Sequence, residues 1–187
     1  MRMVATEKVW TEDDLATLPD DGNRYEIIDG ELFVTPSPAW RHQTALKLLV
    51  LVIDPYLVAS AAGDLQVAPA DVVFDKRNVV EPDLFVVPLV NGRRPKTWQE
   101  AGRLLLAIEI VSPSSARQDR VAKRWLYQGQ GVPEYWVIDV DAALVERWRP
   151  GDERPEILTD RLEWQPSAEY APLSIDLVAY FRDVRGE

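Results

Sequence analysis

The sequence predicts an α/β fold with α+β character, in which a central mixed β-sheet is flanked by helices and extended by β-hairpins. Three observations support this class. Helical and strand patterns alternate along the chain, two segments carry hairpin signals, and 47% of the 187 residues are hydrophobic. That content is enough for one buried core and short for two, so a single domain over residues 1–187 is expected.

Two helices are predicted in the first third of the chain. Thr11 precedes three acidic residues, a pattern typical of a helix N-terminus, so a helix is expected over Thr11–Leu18. Apolar residues at helical spacing predict a second helix from Pro38 to about Ala59. Pro55 should end or kink this helix, because proline lacks the backbone N–H that helices use.

The strand predictions begin with a hairpin. Asp29-Gly30 separates Arg24–Ile28 from Glu31–Thr35, and this dipeptide is a strong type I′ turn signal. Later strands are expected once or twice within Leu65–Phe74 near a sheet edge, at Leu84–Val87, and at Leu104–Val111 in a central position.

The rest of the chain continues this alternation. Ser115 and Gln118 have the spacing of a capping box, which predicts a helix running to about Gln128. The remaining predictions are a hairpin of Glu134–Val140 and Ala143–Arg149, short strands at Glu156–Leu158 and Arg161–Trp164, and a closing helix at Ile175–Phe181.

Composition excludes several kinds of site. The chain has no cysteine, so it has no thiolate metal ligand, no disulfide and no catalytic thiol. His42 is the single histidine, which rules out a zinc site built from several histidines. We interpret His42 as having a local role at the start of its helix.

Two segments are candidates, one for a signal peptide and one for a membrane-spanning helix, and neither favours a membrane location. Met1–Asp14 is mixed and charged, unlike a signal peptide. The longest apolar segment, Leu46–Ala62, contains Lys47, Asp54 and Pro55 and is expected to be too interrupted to span a bilayer. The sequence therefore indicates a soluble, cytoplasmic protein.

The charge distribution is uneven. A net charge of −10 argues against nucleic-acid binding in general. Residues 93–124, however, hold eight basic side chains against three acidic ones, a local charge of +5 that surrounds Glu109 and Lys123. This segment is interpreted either as a solvated helix and loop or as a surface that attracts a polyanion.

Two acidic residues stand out from their surroundings. Glu109 lies within the apolar run Leu104–Val111, where a carboxylate is costly to bury unless a cation meets it. Strand alternation places Glu109 on the same face as the small residue Ala107, which leaves room for an ion. Asp83 ends Glu81-Pro82-Asp83. The alternatives are that Pro-Asp marks a turn and that Glu109 faces solvent on an edge strand.

A lysine on the following helix completes the pattern. Asp119, Lys123 and Tyr127 share one helical stripe, from which Lys123 can fold back toward Glu109. Two acids and a lysine point to a magnesium site for cutting phosphodiesters, although Asp119 and Lys123 alone are also compatible with an ordinary helical salt bridge. The apolar side of this helix is expected to comprise Val121, Ala122, Trp125 and Leu126.

Taken in order, these motifs resemble a known family. The chain is similar to the Uma-type endonucleases of the PD-(D/E)XK, restriction-endonuclease-like superfamily, and the likeness implies a restriction-endonuclease-like core. The segments that carry it are residues 25–32, 79–87 and 108–114, then Asp119, Lys123 and Tyr127, and finally residues 131–139.

The resemblance implies a metal site. Asp83 and Glu109, with the carbonyl of Ile110, are expected to hold Mg²⁺, and Mn²⁺ is the alternative ion. Glu26 matches an upstream acid that completes the metal shell or binds a second ion. These residues would be both catalytic and metal-binding.

The resemblance also identifies a departure from the superfamily pattern. The superfamily usually places its lysine two residues after the second acid, where this chain has Val111. Lys123 is the expected substitute, and it would orient or help deprotonate the attacking water. Tyr127 and Asp119 are expected to support it.

Three functions are compatible with these residues. The first is a Mg²⁺-dependent endonuclease that acts on nucleic acid, with DNA favoured over RNA. The second is a non-catalytic binding or assembly module that keeps the nuclease fold, and the third is hydrolysis of another phosphodiester or of a nucleotide. The resemblance and the tryptophan-rich C-terminal part imply a homodimer.

Overall fold

A computed structural model describes residues 8–113 and 115–187; Met1–Glu7 and Ser114, which the predictions above include, lie outside the described residues. The helical elements are α1 (Glu12–Leu15), α2 (Trp40–Ser60), α3 (Trp98–Ala101), a π-helical segment (Gln118–Lys123), α4 (Arg124–Gly129) and α5 (Leu177–Arg185). The strands are β1 (Arg24–Ile28), β2 (Glu31–Thr35), β3 (Asp64–Val67), β4 (Val72–Asp75), β5 (Asn78–Val80), β6 (Leu84–Val87), β7 (Leu106–Ile110), β8 (Tyr135–Asp139), β9 (Leu144–Trp148), β10 (Glu156–Leu158), β11 (Arg161–Trp164) and β12 (Leu173–Asp176).

β7 lies inside a six-stranded mixed sheet with the order β10-β9-β8-β7-β6-β3. It pairs in parallel with β8 and antiparallel with β6, so the predicted mixed sheet is confirmed. Because a partner strand lies on each side of β7, the alternative that Glu109 belongs to an edge strand is wrong. Glu109 is 1% exposed.

A second, four-stranded sheet has the order β2-β1-β5-β4. The chain leaves it at the end of β5 and enters the six-stranded sheet at β6, so Glu81-Pro82-Asp83 is the crossover between the two sheets. Asp83 is therefore more than a turn residue. It lies where the sheet that carries Glu26 meets the sheet that carries Glu109.

The two faces of the six-stranded sheet bury different cores. Leu106, Ile108 and Ile110 belong to the core on which α2 and α5 pack. Ala107 belongs to a second core, to which Tyr127 of α4 and Ile28 of the smaller sheet contribute. The alternation expected for β7 is therefore confirmed, and Glu109 faces the second core with Ala107.

The first hairpin agrees with its prediction residue for residue. Ile28 pairs with Glu31, and Asp29 and Gly30 both have positive φ, of 50° and 80°. Positive φ at both central residues defines the type I′ turn, whose twist matches that of the flanking strands. The hairpin therefore fixes the position of β1, which carries Glu26.

The two helices predicted last differ from the structure. The predicted closing helix Ile175–Phe181 begins in β12, because Leu173–Asp176 pairs with β11, and α5 starts only at Leu177. The predicted capping box at Ser115 does not form, since the Gln118 side chain reaches across to Glu26. The predicted α-helix there is replaced by the π-helical segment followed by α4.

Three smaller differences concern the ends of two helices and two elements that were not predicted. α1 ends at Leu15, earlier than predicted, although its Thr11 capping box with Asp14 is present. α2 continues past Pro55 to Ser60. β5 and α3 carry no sequence signal strong enough to predict them, and β5 is held by its pairing with β1 and β4.

α2 is unusually apolar for a helix on a domain surface. By length and composition alone it meets the criterion for a membrane-spanning helix, a criterion that the core helix of a soluble protein also meets. In this fold, 22% of its most apolar window is buried, and Leu49 and Ile53 lie in the core. The helix therefore serves as a core helix on one side only.

Replacing Ile108 by alanine tests the central position of β7. Ile108 is fully buried, so Ile108→Ala should lower the free energy of unfolding by about 2–5 kcal/mol through lost burial and a cavity. Urea unfolding measures this change. The control Val178→Ala, at a position 61% exposed on α5, should stay within about 0.5 kcal/mol of the wild type. Equal losses in both variants would contradict the assignment of the core.

Candidate active site

The acidic residues converge where the two sheets meet. Asp83 precedes β6, and Glu109 lies in the adjacent antiparallel strand, where Leu84 pairs with Ile108. Glu26 comes from β1 of the other sheet. The three side chains are 0–3% exposed, so burial rather than solvent sets their properties.

Both carboxylate oxygens of Asp83 accept hydrogen bonds. Arg24 Nη1 donates to its Oδ1 at 2.8 Å, while His42 Nε2, at 2.9 Å, and the Ile110 N–H, at 2.8 Å, donate to its Oδ2. Burial acts to raise the pKa of Asp83. The hydrogen bond and charge of His42, the charge of Arg24 and the Ile110 N–H outweigh burial and lower the pKa to about 2.

Only one of the two carboxyl oxygens of Glu109 accepts hydrogen bonds from the described residues. Its Oε1 accepts from Lys123 Nζ at 2.8 Å and from the Tyr127 hydroxyl at 3.2 Å. Its Oε2 is buried and has no hydrogen-bond partner in the described part of the chain. Burial raises the pKa of Glu109 well above its usual value, and nearby Asp83 adds to the rise against the opposing charge of Lys123.

Lys123 is the cation at the centre of the acids. Its Nζ lies 2.8 Å from Glu26 Oε1, 2.8 Å from Glu109 Oε1 and 3.7 Å from Asp119 Oδ1. Burial favours the neutral amine, but the charges of Glu109 and Glu26 prevail and raise the pKa of Lys123 above its usual value. These charges therefore favour the protonated ammonium, and the role of Lys123 in orienting or deprotonating a water stays a prediction.

Glu26 ties the smaller sheet into the same network. Its Oε1 also accepts from the Glu81 N–H at 2.8 Å, and its Oε2 accepts from the Gln118 side chain at 3.1 Å. Arg24 Nε lies 3.9 Å from Oε2. Arg24 therefore stands between Glu26 and Asp83, much as Lys123 stands between Glu26 and Glu109.

The π-helical segment turns its polar stripe inward. Asp119, Lys123 and Tyr127 are at most 1% exposed, whereas Val121 and Trp125 are 48% and 62% exposed. On the apolar side predicted for this helix, Val121 and Trp125 thus face solvent, because the polar stripe with Lys123 packs against the buried acids. π-Helical turns often occur at functional sites, where they re-aim side chains in this way.

Asp119 is the second residue with an unsatisfied oxygen. Its Oδ1 is buried without a hydrogen bond in the described residues. Burial raises the pKa of Asp119 to about 6, although the charge of Lys123 and a hydrogen bond from Ser115 oppose the rise. The Lys123–Asp119 contact is thus buried and unlike an exposed helical salt bridge.

A cavity of about 410 Å³ leads to the Asp83 side of the cluster. Arg24, His42, Glu81 and Asp83 line its inner part, and Pro36–Pro38 contribute to its wall. Glu81 is half-buried, and burial, with the nearby charges of Asp71 and Glu26, raises its pKa to about 7. A ligand in this cavity can therefore contact Arg24, His42 and Asp83.

Comparison with known proteins identifies the family of this chain. The Uma2 family, described as "Putative restriction endonuclease", matches residues 12–177. The chain belongs to the Uma2 family. This match confirms the resemblance to Uma-type endonucleases.

A solved structure supports the fold of this Uma2-family chain. It is described as a "putative nuclease belonging to DUF820" from Anabaena variabilis ATCC 29413, with a TM-score of 0.76 and 21% identity over 93% of this chain and 98% of that one. At this identity the likeness shows the fold alone, and it confirms the predicted restriction-endonuclease-like architecture. Among curated proteins, no relative matches the chain.

Restriction-endonuclease-like families generally use a divalent metal, and the donor set in this Uma2-family chain fits one in part. Four carboxyl groups lie close to only two side-chain cations, Arg24 and Lys123, and Glu109 Oε2 and Asp119 Oδ1 are buried oxygens without hydrogen-bond donors among the described residues. Oxygen ligands suit Mg²⁺. Among the described residues, however, no three His, Asp or Glu side chains are already arranged as a metal cluster.

Sequence reasoning missed His42 and Arg24. The interpretation of His42 as a local helix-start residue is wrong, since its ring contacts Asp83; its contact partner is 41 residues away, and no spacing rule predicts it. The sequence could have identified Arg24, because strand alternation places Arg24 and Glu26 on one face of β1.

The basic segment also differs from its prediction. Arg93, Arg94, Lys96 and Arg103 lie between the end of β6 and the start of β7, at the opposite end of these strands from Asp83 and Glu109. In addition, Arg120 pairs with Asp139 and Glu146. The segment therefore does not surround the site as expected.

Removing the central ammonium should destabilise the fold. Lys123→Met leaves buried carboxylates without their cation and should lower the free energy of unfolding by about 3–5 kcal/mol at neutral pH. Chemical unfolding in the presence of a chelator measures this loss. The control Lys96→Met, at an exposed lysine, should stay within about 0.5 kcal/mol. A loss below about 1 kcal/mol for Lys123→Met would mean that the pairs behave like surface ion pairs.

Asp83 should contribute stability that depends on pH. Because its folded pKa is lowered from 3.8 to about 2, the contribution is fully present above pH 3.8 and is lost as the pH falls toward 2. Asp83→Asn should therefore cost roughly 2 kcal/mol at neutral pH and little near pH 2. Urea unfolding of both proteins across this range measures the difference, and a gap that stays constant with pH would contradict the assignment.

Proposed function

We propose that this protein is a Mg²⁺-dependent endonuclease that hydrolyses phosphodiester bonds in DNA, with Mn²⁺ as the alternative ion. The observation that carries the proposal is the buried pairing of Glu26 and Glu109 with Lys123, together with Asp83, which lines a cavity and accepts the Ile110 N–H next to Glu109. Family membership supports a nuclease-like function. In this proposal the protein is a cytoplasmic homodimer; a chain without cysteine depends on no disulfide in that reducing compartment.

Asp83, Glu109 and Glu26 would hold the ion, with the carbonyl of Ile110 as a further oxygen ligand. The bound ion supplies a water of lowered pKa and offsets negative charge on the phosphate. Glu109 contributes most directly, because its Oε2 is free of hydrogen bonds in the described structure.

The cationic side chains would then act on the substrate. Lys123 keeps its proton and donates toward oxygens on which negative charge develops, an effect strengthened by its burial. Arg24 lies at the cavity wall and is 19% exposed, so its guanidinium is placed to receive a phosphate oxygen. His42 orients Asp83 through its Nε2–H.

A second function has its own supporting observation. Both oxygens of Asp83 and both of Glu26 already accept hydrogen bonds from protein groups. A site whose carboxylate oxygens already accept hydrogen bonds from protein groups suits a non-catalytic binding or assembly module that retains the nuclease fold. Calorimetric titration with Mg²⁺ and Mn²⁺ separates the two functions, because the module would bind neither ion at the site.

Plasmid cleavage tests the proposed activity. With Mg²⁺ or Mn²⁺, Glu109→Gln and Asp83→Asn should each slow the nicking of supercoiled DNA by at least about 100-fold, because each removes a charged oxygen ligand. Glu109→Gln is the more informative of the two variants. Burial already disfavours the charged form of Glu109 in the metal-free fold, so the neutral glutamine should perturb the fold less than Asp83→Asn does.

The matched control is Asp183→Asn on α5, where the carboxylate is 49% exposed and pairs only with neighbouring Arg182 among the described residues. It should cleave at the wild-type rate. Wild-type rates in both site variants would overturn the residue assignment. Activity confined to RNA, to nucleotides or to a small diester would overturn the choice of DNA while leaving the site in place.

A further inference from the structure

The outer face of α2 carries an exposed stripe at regular spacing. Trp40, Leu51 and Val58 are 90%, 63% and 61% exposed. Positions spaced alternately by four and three residues line one side of a helix. The outer stripe consists of the exposed residues Trp40, Lys47, Leu51 and Val58 and the half-buried residues Thr44 and Asp54.

α2 is therefore apolar on two sides. Its inner side, with Ala45, Leu49, Ile53 and Leu57, is at most 2% exposed and packs in the core. A surface helix normally presents one apolar stripe and a polar opposite face. Trp40, Leu51 and Val58 nevertheless expose large apolar side chains on the outer side, and exposed apolar surface favours contact with a partner.

Two charges within the stripe indicate which partner fits. Lys47 and Asp54 flank Leu51, and neither has an ion-pair partner among residues 8–113 and 115–187. Their seven-residue separation is too long for a salt bridge within the helix, which joins residues three or four apart. Each charge is thus available to a group outside the domain.

We infer that the outer stripe is the contact between two copies of this chain, with the two α2 helices packed antiparallel about a two-fold axis near Leu51. Antiparallel packing brings the Lys47 half of one helix against the Asp54 half of the other, so the Lys47–Asp54 pair forms twice, once on each side of the axis. The same operation brings the Trp40 end of one helix against the Val58 end of its partner. A surface that complements itself under a two-fold rotation is the requirement for a closed dimer.

A lipid surface fits the stripe less well. Lys47 and Asp54 would enter the apolar phase near its middle, where charged side chains are expensive. In an antiparallel dimer the same two charges compensate each other. This inference is independent of the proposed activity, and it is tested with metal-free protein and no nucleic acid.

Sedimentation of the full chain tests the inference. The wild type should sediment as a dimer at micromolar concentration. Leu51→Glu places two like charges near the two-fold axis and should raise the dissociation constant at least about tenfold. Because Leu51 is exposed, circular dichroism should show an unchanged fold.

A charge exchange provides the decisive comparison. Lys47→Glu should weaken the dimer about fivefold by opposing Asp54 of the partner copy, and adding Asp54→Lys should restore affinity to within about twofold of the wild type. Val178→Glu, at an exposed apolar position on α5, is the matched control and should leave the dimer unchanged.

Three outcomes would overturn the inference. The wild type could be monomeric at these concentrations, or Leu51→Glu could dimerise as strongly as the wild type. The third is co-sedimentation of monomeric wild type with anionic phosphatidylserine vesicles, lost in Leu51→Glu, which would assign the stripe to a lipid surface. Failure of plasmid cleavage bears on none of these results.

Discussion

The buried ammonium of Lys123 is the interaction on which the rest of this structure depends. It holds Glu26 and Glu109 at 2.8 Å each, in surroundings where an unpaired carboxylate costs several kcal/mol. The two sheets and the π-helical segment each deliver one of these three groups, so the lysine stabilises the closure of the sheets over this volume. Well-packed apolar residues would stabilise the same volume at least as well, so the retained charges point to chemistry rather than to stability.

The meeting of two sheets explains why the site is both rigid and reachable. Glu81-Pro82-Asp83 crosses from the smaller sheet to the larger, and the Glu81 N–H is held by Glu26 on one side while Asp83 holds the Ile110 N–H on the other. The crossover thus fixes the spacing between the sheets through hydrogen bonds. The cavity opens along this seam, and Arg24 and His42 form its inner wall.

Local signals predicted much of the fold and part of the site. Asp29-Gly30 fixed the first hairpin because a two-residue turn is decided by its own residues, and β7 followed from alternation around Glu109. His42 could not be found, since its contact with Asp83 depends on how a helix packs across a sheet. The π-helical register was equally hidden, because it results from burying Lys123 against acids that come from distant segments. Charge counted along the chain misplaced the basic segment, since neighbours in sequence lie at opposite ends of β6 and β7.

The pairing of Arg24 with Asp83 gives the site a built-in competitor. A guanidinium 2.8 Å from the carboxylate, fixed to the same chain, acts as a counterion at very high effective concentration. Any free cation that takes Asp83 as a ligand must displace this tethered one, so its apparent affinity is reduced by the strength of the internal pair. An anion that draws Arg24 away lowers that barrier, which by thermodynamic linkage makes anion and cation binding mutually reinforcing.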